Sequence, residues 1–99
     1  MLYKIVKVTD LDFRERTDSD SLDRMKRTFI IQESTLAVGS CLLLLCVEPE
    51  GGKSVRTSLI EEITKADDGY IIKTLNSCYF IVEKDAVERS EYVMGQVSG

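Results

Sequence analysis

The chain has 99 residues, 43% hydrophobic and 30% charged, with a formal net charge of −4 and no histidine. Such a length and balance describe one globular domain with a modest core, not a disordered or staple-dependent chain. The missing histidine excludes a Ser-His-Asp triad, a Cys-His pair and imidazole-ligated zinc or haem.

Leu2–Val8 predicts the first strand. Tyr3 and Ile5 share one face and Val6 and Val8 the other, so the strand is either buried on both sides or bulged. Residues 10–26, DLDFRERTDSDSLDRMK, read as a long polar loop with one helical turn begun at Ser21. Leu11, Phe13, Leu22 and Met25 are its only large apolar groups, and a loop of that length in a compact domain tends to be functional or mobile.

Arg27–Glu33 predicts a second strand with Phe29 and Ile31 on one face and Ile30 on the other, followed by a turn over Ser34–Gly39. Cys41–Val47 is the longest unbroken apolar run, seven residues, and predicts a central strand covered on both faces. EPEGGK, residues 48–53, is a turn. Ser54–Lys65 sets Val55, Thr57, Leu59 and Ile63 inward, with a bulge near Leu59–Glu61 to absorb the break in alternation. Asp68-Gly69 predicts a hairpin through a primed turn, where glycine supplies positive φ. Tyr70–Leu75 and Cys78–Glu83 complete the sheet about Asn76-Ser77. Lys84–Met94 predicts a short C-terminal helix anchored by Val87, Tyr92 and Met94, ahead of a frayed end.

These elements predict an all-β fold: one domain over residues 1–99, a small five- to six-stranded antiparallel barrel with a short C-terminal helix. An OB-fold would place a helix between its third and fourth strands. Only EPEGGK lies there, so an SH3-like barrel is favoured over an OB-like one.

No motif points to catalysis, a cofactor or a metal. Glu61-Glu62 are neighbours on a strand and face opposite ways, and Asp67-Asp68 sit in a turn where aspartate bonds locally. Asp18-Ser19-Asp20 opens like a calcium loop, but the third ligand position holds Leu22, the glycine position Asp23 and the terminal glutamate position Phe29. Gly51-Gly52-Lys53-Ser54 resembles the end of a phosphate loop, yet the required upstream glycine is Val47. Cys41, Cys46 and Cys78 have no metal spacing and lie in apolar runs, which predicts buried, reduced thiols; Cys41 and Cys46 point to opposite faces of one strand.

The remaining candidate is the loop. Arg14, Arg16, Arg24 and Arg27, four of the six arginines, crowd it and its exit and form the candidate partner-binding set, since arginine is enriched among interface anchors. A competing account is a solvated loop in which Asp10, Asp12, Glu15, Asp18, Asp20 and Asp23 neutralise them. Nucleic acid is disfavoured, because a net acidic chain without a basic stripe lacks the main electrostatic term. Tyr3, Phe29, Tyr70, Tyr79 and Phe80 would be the stacking groups of that reading.

Thr57-Ser58 and Thr74-x-Asn76-Ser77-x-Tyr79 form a pattern that resembles short uncharacterised proteins of Gram-positive bacteria and their phages and mobile elements. The resemblance covers about 25 residues and implies an accessory protein, by analogy an anti-CRISPR-type nuclease inhibitor that occludes a partner surface. A simpler account pairs Thr57 with Thr74 across strands and lets Asn76-Ser77 close a turn. The expected partner is a protein, with a homodimer through a strand edge as the alternative. Without an apolar run near the roughly 20 residues of a membrane helix or a recognisable signal peptide, the expected location is cytoplasmic.

Overall fold

The computed structural model describes residues 1–49 and 53–89. Six antiparallel strands follow one another round a closed barrel: β1 (Tyr3–Thr9), β2 (Thr28–Ile31), β3 (Cys41–Glu48), β4 (Ser54–Ala66), β5 (Gly69–Thr74) and β6 (Cys78–Glu83), with β6 returning to pair with β1. The order is a plain meander, unlike the Greek key of an OB-fold. Residues 84–89 are helical after β6, as expected, with Ala86 buried. The expected anchors Tyr92 and Met94 lie outside the described residues, as do Gly51 and Gly52 of the turn after β3.

Broken alternation in the sequence becomes bulges in the barrel. In β1 the register shifts between Ile5 and Lys7, so Ile5 and Val8 both point into the core while Val6 stays exposed. β4 carries two bulges. Against β3, three of its steps oppose two, as Cys41 faces Leu59 and Leu43 faces Arg56. Against β5, Ile60 faces Thr74 and Glu62 faces Lys73, which leaves Glu61 as an extra residue. The second bulge falls where the pattern demanded it. The first turns Leu59 outward, 44% exposed, and puts Ile60 inside in its place. Bulges bend a strand and raise its twist, so β4 pairs with β3 along its first half and β5 along its second.

The core is the inner face of all six strands, centred on Phe29, Leu42, Leu44, Ile60, Ile72 and Ile81. β3 departs from the expected double coverage. Leu42, Leu44 and Cys46 are buried, whereas Cys41, Leu43, Leu45 and Val47 are only half-buried on the outer side. In a closed barrel no strand is more central than another, so an apolar run on both faces exceeds what the fold can cover.

The β4–β5 hairpin also differs from expectation. Ala66 pairs with Gly69, so Asp67 and Asp68 make the loop, and neither they nor Gly69 has positive φ. Gly69 is needed for another reason: a Cβ there would collide with the carbonyl of Ile81 on β6. Close backbone approach selects the glycine.

The segment between β1 and β2 is ordered. Asp18 caps a helix, α1 (Ser19–Met25), by accepting from the Ser21 amide at 3.1 Å and the Ser21 hydroxyl at 2.9 Å. The acidic triplet that resembled a calcium loop is thus a helix start. β1 and β2 share only two register pairs, Tyr3 with Phe29 and Lys4 with Thr28. Further along, β1 is covered by α1, by a bridge from Thr9 to Glu15 and by the Arg16 amide, which donates to the Val8 carbonyl over 2.7 Å.

Candidate protein-binding groove

Residues 10–14 form a tight loop built round one carboxylate. Asp10 Oδ1 accepts from the amides of Asp12 at 2.9 Å and Arg14 at 3.0 Å. The Asp10 amide donates to the Arg14 carbonyl, and the Phe13 amide to the Asp10 carbonyl. The Arg14 amide, followed by that of Asp12, holds the Asp10 carboxyl below the usual carboxylate range. Within this ring Phe13 takes φ +62°, the one positive value among the described non-glycine residues, and leaves its side chain 66% exposed. A left-handed backbone costs an ordinary residue about 1–2 kcal/mol. The loop therefore spends conformational strain and apolar exposure on a single phenylalanine.

Phe13 overhangs the outer face of the β4–β5–β6 sheet. It lines a groove of about 260 Å³ with Glu62, Thr64, Ile71, Lys73 and Phe80, and with Cys78 beneath. The register explains the grouping: Phe80 pairs with Ile71 and Ile71 with Thr64, while Cys78 pairs with Lys73 and Lys73 with Glu62. On the far side of β6, Lys7 of β1 pairs with Phe80 and holds its ammonium 5.5 Å from the ring centroid. The groove is apolar at its centre, polar at its rim, and built jointly by the N-terminal loop and the C-terminal hairpins.

The four candidate arginines do not converge on it. Arg14 is exposed beside Phe13. Arg16 is half-buried and donates through Nη2 to the Asn76 carbonyl at 3.1 Å. Arg24 reaches the Tyr79 hydroxyl, and Arg27 is held between Asp23, at 3.0 Å, and the Cys46 thiol, at 3.6 Å. Arg16, Arg24 and Arg27 thus fasten the loop to the barrel, and Arg14 alone projects a guanidinium without a hydrogen bond or ion pair among the described residues. Hydrogen bonding from Arg27 pulls the Asp23 carboxyl below its usual range.

The aromatic set divides similarly. Phe29 and Tyr79 are buried in the core, and Tyr3 and Tyr70 pack on it and on each other, with centroids 6.2 Å apart. Of the five stacking candidates, only Phe80 faces the groove. The three cysteines form no disulfide: Cys46 and Cys78 are buried, whereas Cys41 is half-exposed, contrary to a fully buried set.

The residues of the resemblance pattern have local duties. Thr74 Oγ1 donates to the Ser77 carbonyl at 3.0 Å and accepts from the Ser77 amide at 3.2 Å, closing the Asn76-Ser77 turn. Thr57 does not pair with Thr74. Its hydroxyl accepts from the Leu42 amide at 3.1 Å and donates to the Ser58 carbonyl, satisfying groups displaced by the first β4 bulge. Among the described residues no three Cys, Asp or Glu side chains converge as a metal site would require.

A second groove, about 400 Å³, opens beside Lys4, Lys26, Glu48, Lys84 and Glu88. Three of its charges are spent on one another, since Lys84 bonds both Glu48 oxygens, at 3.2 and 3.3 Å, and lies 3.7 Å from Glu88, while Lys4 donates to the Arg27 carbonyl. No protein-family model matches this chain, and neither a curated protein nor a solved structure matches it significantly.

Phe13 was visible in the sequence only as one of four apolar groups in a polar loop. The available signal was its setting, a large aromatic flanked directly by Asp12 and Arg14 with no periodic partner to bury it.

Proposed function

We propose that the protein is a non-enzymatic binding module that engages another protein through the Phe13 groove. The observation that carries this reading is a strained, exposed phenylalanine held over an apolar floor by a hydrogen-bonded loop. A strained residue persists only where the surrounding structure holds it, and such residues cluster at ligand clamps and other functional sites, while aromatic anchors dominate interface energetics. The volume supports a side-chain pocket better than a cofactor site, which usually occupies roughly 300–1,000 Å³. The lack of histidine in the sequence supports the non-enzymatic part.

Nucleic-acid binding is the weaker alternative, since most aromatic rings it would use are committed to the core. The resemblance to mobile-element proteins supplies a finer proposal, occlusion of a partner such as a nuclease, and a rigid SH3-like barrel suits that mode. The test is affinity capture from cells that carry the gene, comparing the wild type with Phe13→Ala and with Val38→Ser, an exposed apolar residue off the groove. A partner lost with Phe13→Ala and kept with Val38→Ser is expected. A partner retained equally by all three would place recognition elsewhere.

A further inference from the structure

We infer that the groove takes an acidic peptide segment, one apolar side chain seated between Phe13 and Phe80 with carboxylates on both sides meeting Lys7 and Lys73. The inference rests on the groove being a protein-binding site and adds the chemistry of its occupant. Charge carries it. Lys7 stands over the Phe80 ring and Lys73 is half-buried in the groove wall. Neither ammonium has a carboxylate within ion-pair distance among the described residues. Glu62 faces Lys73 in the ladder but does not close on it. Among the described residues two ammonium groups outside any ion pair, against the single Glu62 carboxylate, border an apolar floor on a chain whose net charge is −4, so the local sign opposes the global one and complements an anionic partner.

Geometry sets the spacing. Lys7 and Lys73 flank β6 on β1 and β5, two strand separations apart, and their partners Phe80 and Cys78 are two residues apart along β6. Strand separations near 4.8 Å and a rise near 3.4 Å put the two backbones roughly 12 Å apart. An extended peptide covers that in three or four residues, so the occupant has acids that bracket an apolar residue within one short stretch.

The probe is a fluorescein-labelled peptide, Gly-Glu-Glu-Phe-Glu-Glu-Gly, titrated by anisotropy at low salt against three relatives: glutamine for every glutamate, lysine for every glutamate, and alanine for the phenylalanine. The acidic phenylalanine peptide should bind at least about tenfold tighter than the glutamine and alanine forms. The margin over the glutamine form should vanish near 1 M salt, where screening acts within about 3 Å, and in Lys7→Gln/Lys73→Gln, while the margin over the alanine form should persist. Phe13→Ala should weaken the acidic and glutamine peptides alike.

Equal binding of the glutamine peptide would overturn the acidic inference and leave the groove reading standing. Equal binding of the alanine peptide would reduce the effect to bare electrostatics and overturn it too. Absence of binding by every peptide would also overturn it, while capture with Phe13→Ala still judges the groove separately. A concentration-dependent dimer in sedimentation, abolished by Phe13→Ala, would install a second copy as the occupant and overturn the acidic peptide.

Discussion

Arg24 of α1 donates through Nη1 to the hydroxyl of Tyr79, 3.3 Å away, across the wall of the barrel. The Tyr79 ring is part of the core, so this bond ties the helix to the interior. Tyr79→Phe should cost about 1 kcal/mol in urea unfolding, the usual net worth of such a bond, and Arg24→Glu should lower the melting temperature. Arg14→Glu should leave stability nearly unchanged, because the Arg14 side chain is exposed and only its backbone serves the Asp10 loop. If Arg24→Glu and Arg14→Glu melt alike, α1 is not docked through this contact.

Phe13 offers a test in which stability and binding move apart. Phe13→Gly relieves the left-handed strain while adding chain entropy, so stability should be unchanged or higher by up to about 1 kcal/mol. Partner capture should be lost. A clear loss of stability would mean that the ring packs as a structural element.

The two faces of β3 should respond differently to a buried charge. Leu44 is fully buried and Leu43 half-buried. Leu44→Asp should destabilise by more than about 4 kcal/mol or prevent folding, and Leu43→Asp by well under half of that. Equal penalties would point to a covered outer face.

Thiol labelling checks the same strand. Cys41 should react with a maleimide in the native protein, whereas Cys46 and Cys78 should react only on unfolding. Rapid native labelling at Cys46 would contradict its placement between Arg27 and the Glu48 carbonyl.

Acid should loosen the N-terminal segment before the barrel. Hydrogen bonds to Asp10, Asp18 and Asp23 hold each below its ordinary value of 3.8. A carboxyl with a lowered folded pKa contributes stability above the unfolded value and loses it as pH falls through the folded one. The window therefore lies below 3.8, and the signals of Phe13 and α1 should change there first. Asp10→Asn and Asp18→Asn should flatten that response; an unaltered profile in both variants would assign it to other groups.

The barrel was legible because hydrophobic alternation is a local property. Phe29 and Ile31 against Ile30, and the break at Ile60–Glu61, could be read from neighbours alone. Residues whose neighbours are distant in sequence were not. Arg16, Arg24 and Arg27 read as a free cationic set because Asn76, Tyr79 and Cys46 lie far along the chain, and Gly69 read as a turn residue because Ile81 was not in view. The groove was half legible. The loop wall was recognised as a candidate and the C-terminal hairpin as a sheet element, while their meeting at Phe13 depends on a backbone twist fixed by the Asp10 carboxylate.

The two-pair seam between β1 and β2 gives the barrel an order of opening. Amides of α1 and of the seam should exchange with solvent through a partial opening, while those of β3 to β6 should wait for global unfolding. Residues 10–25 connect the Phe13 loop to the helix that covers β1 beyond this seam. A partner closing on Phe13 would therefore slow exchange at α1, remote from its own contact, and lengthen the lifetime of the whole fold.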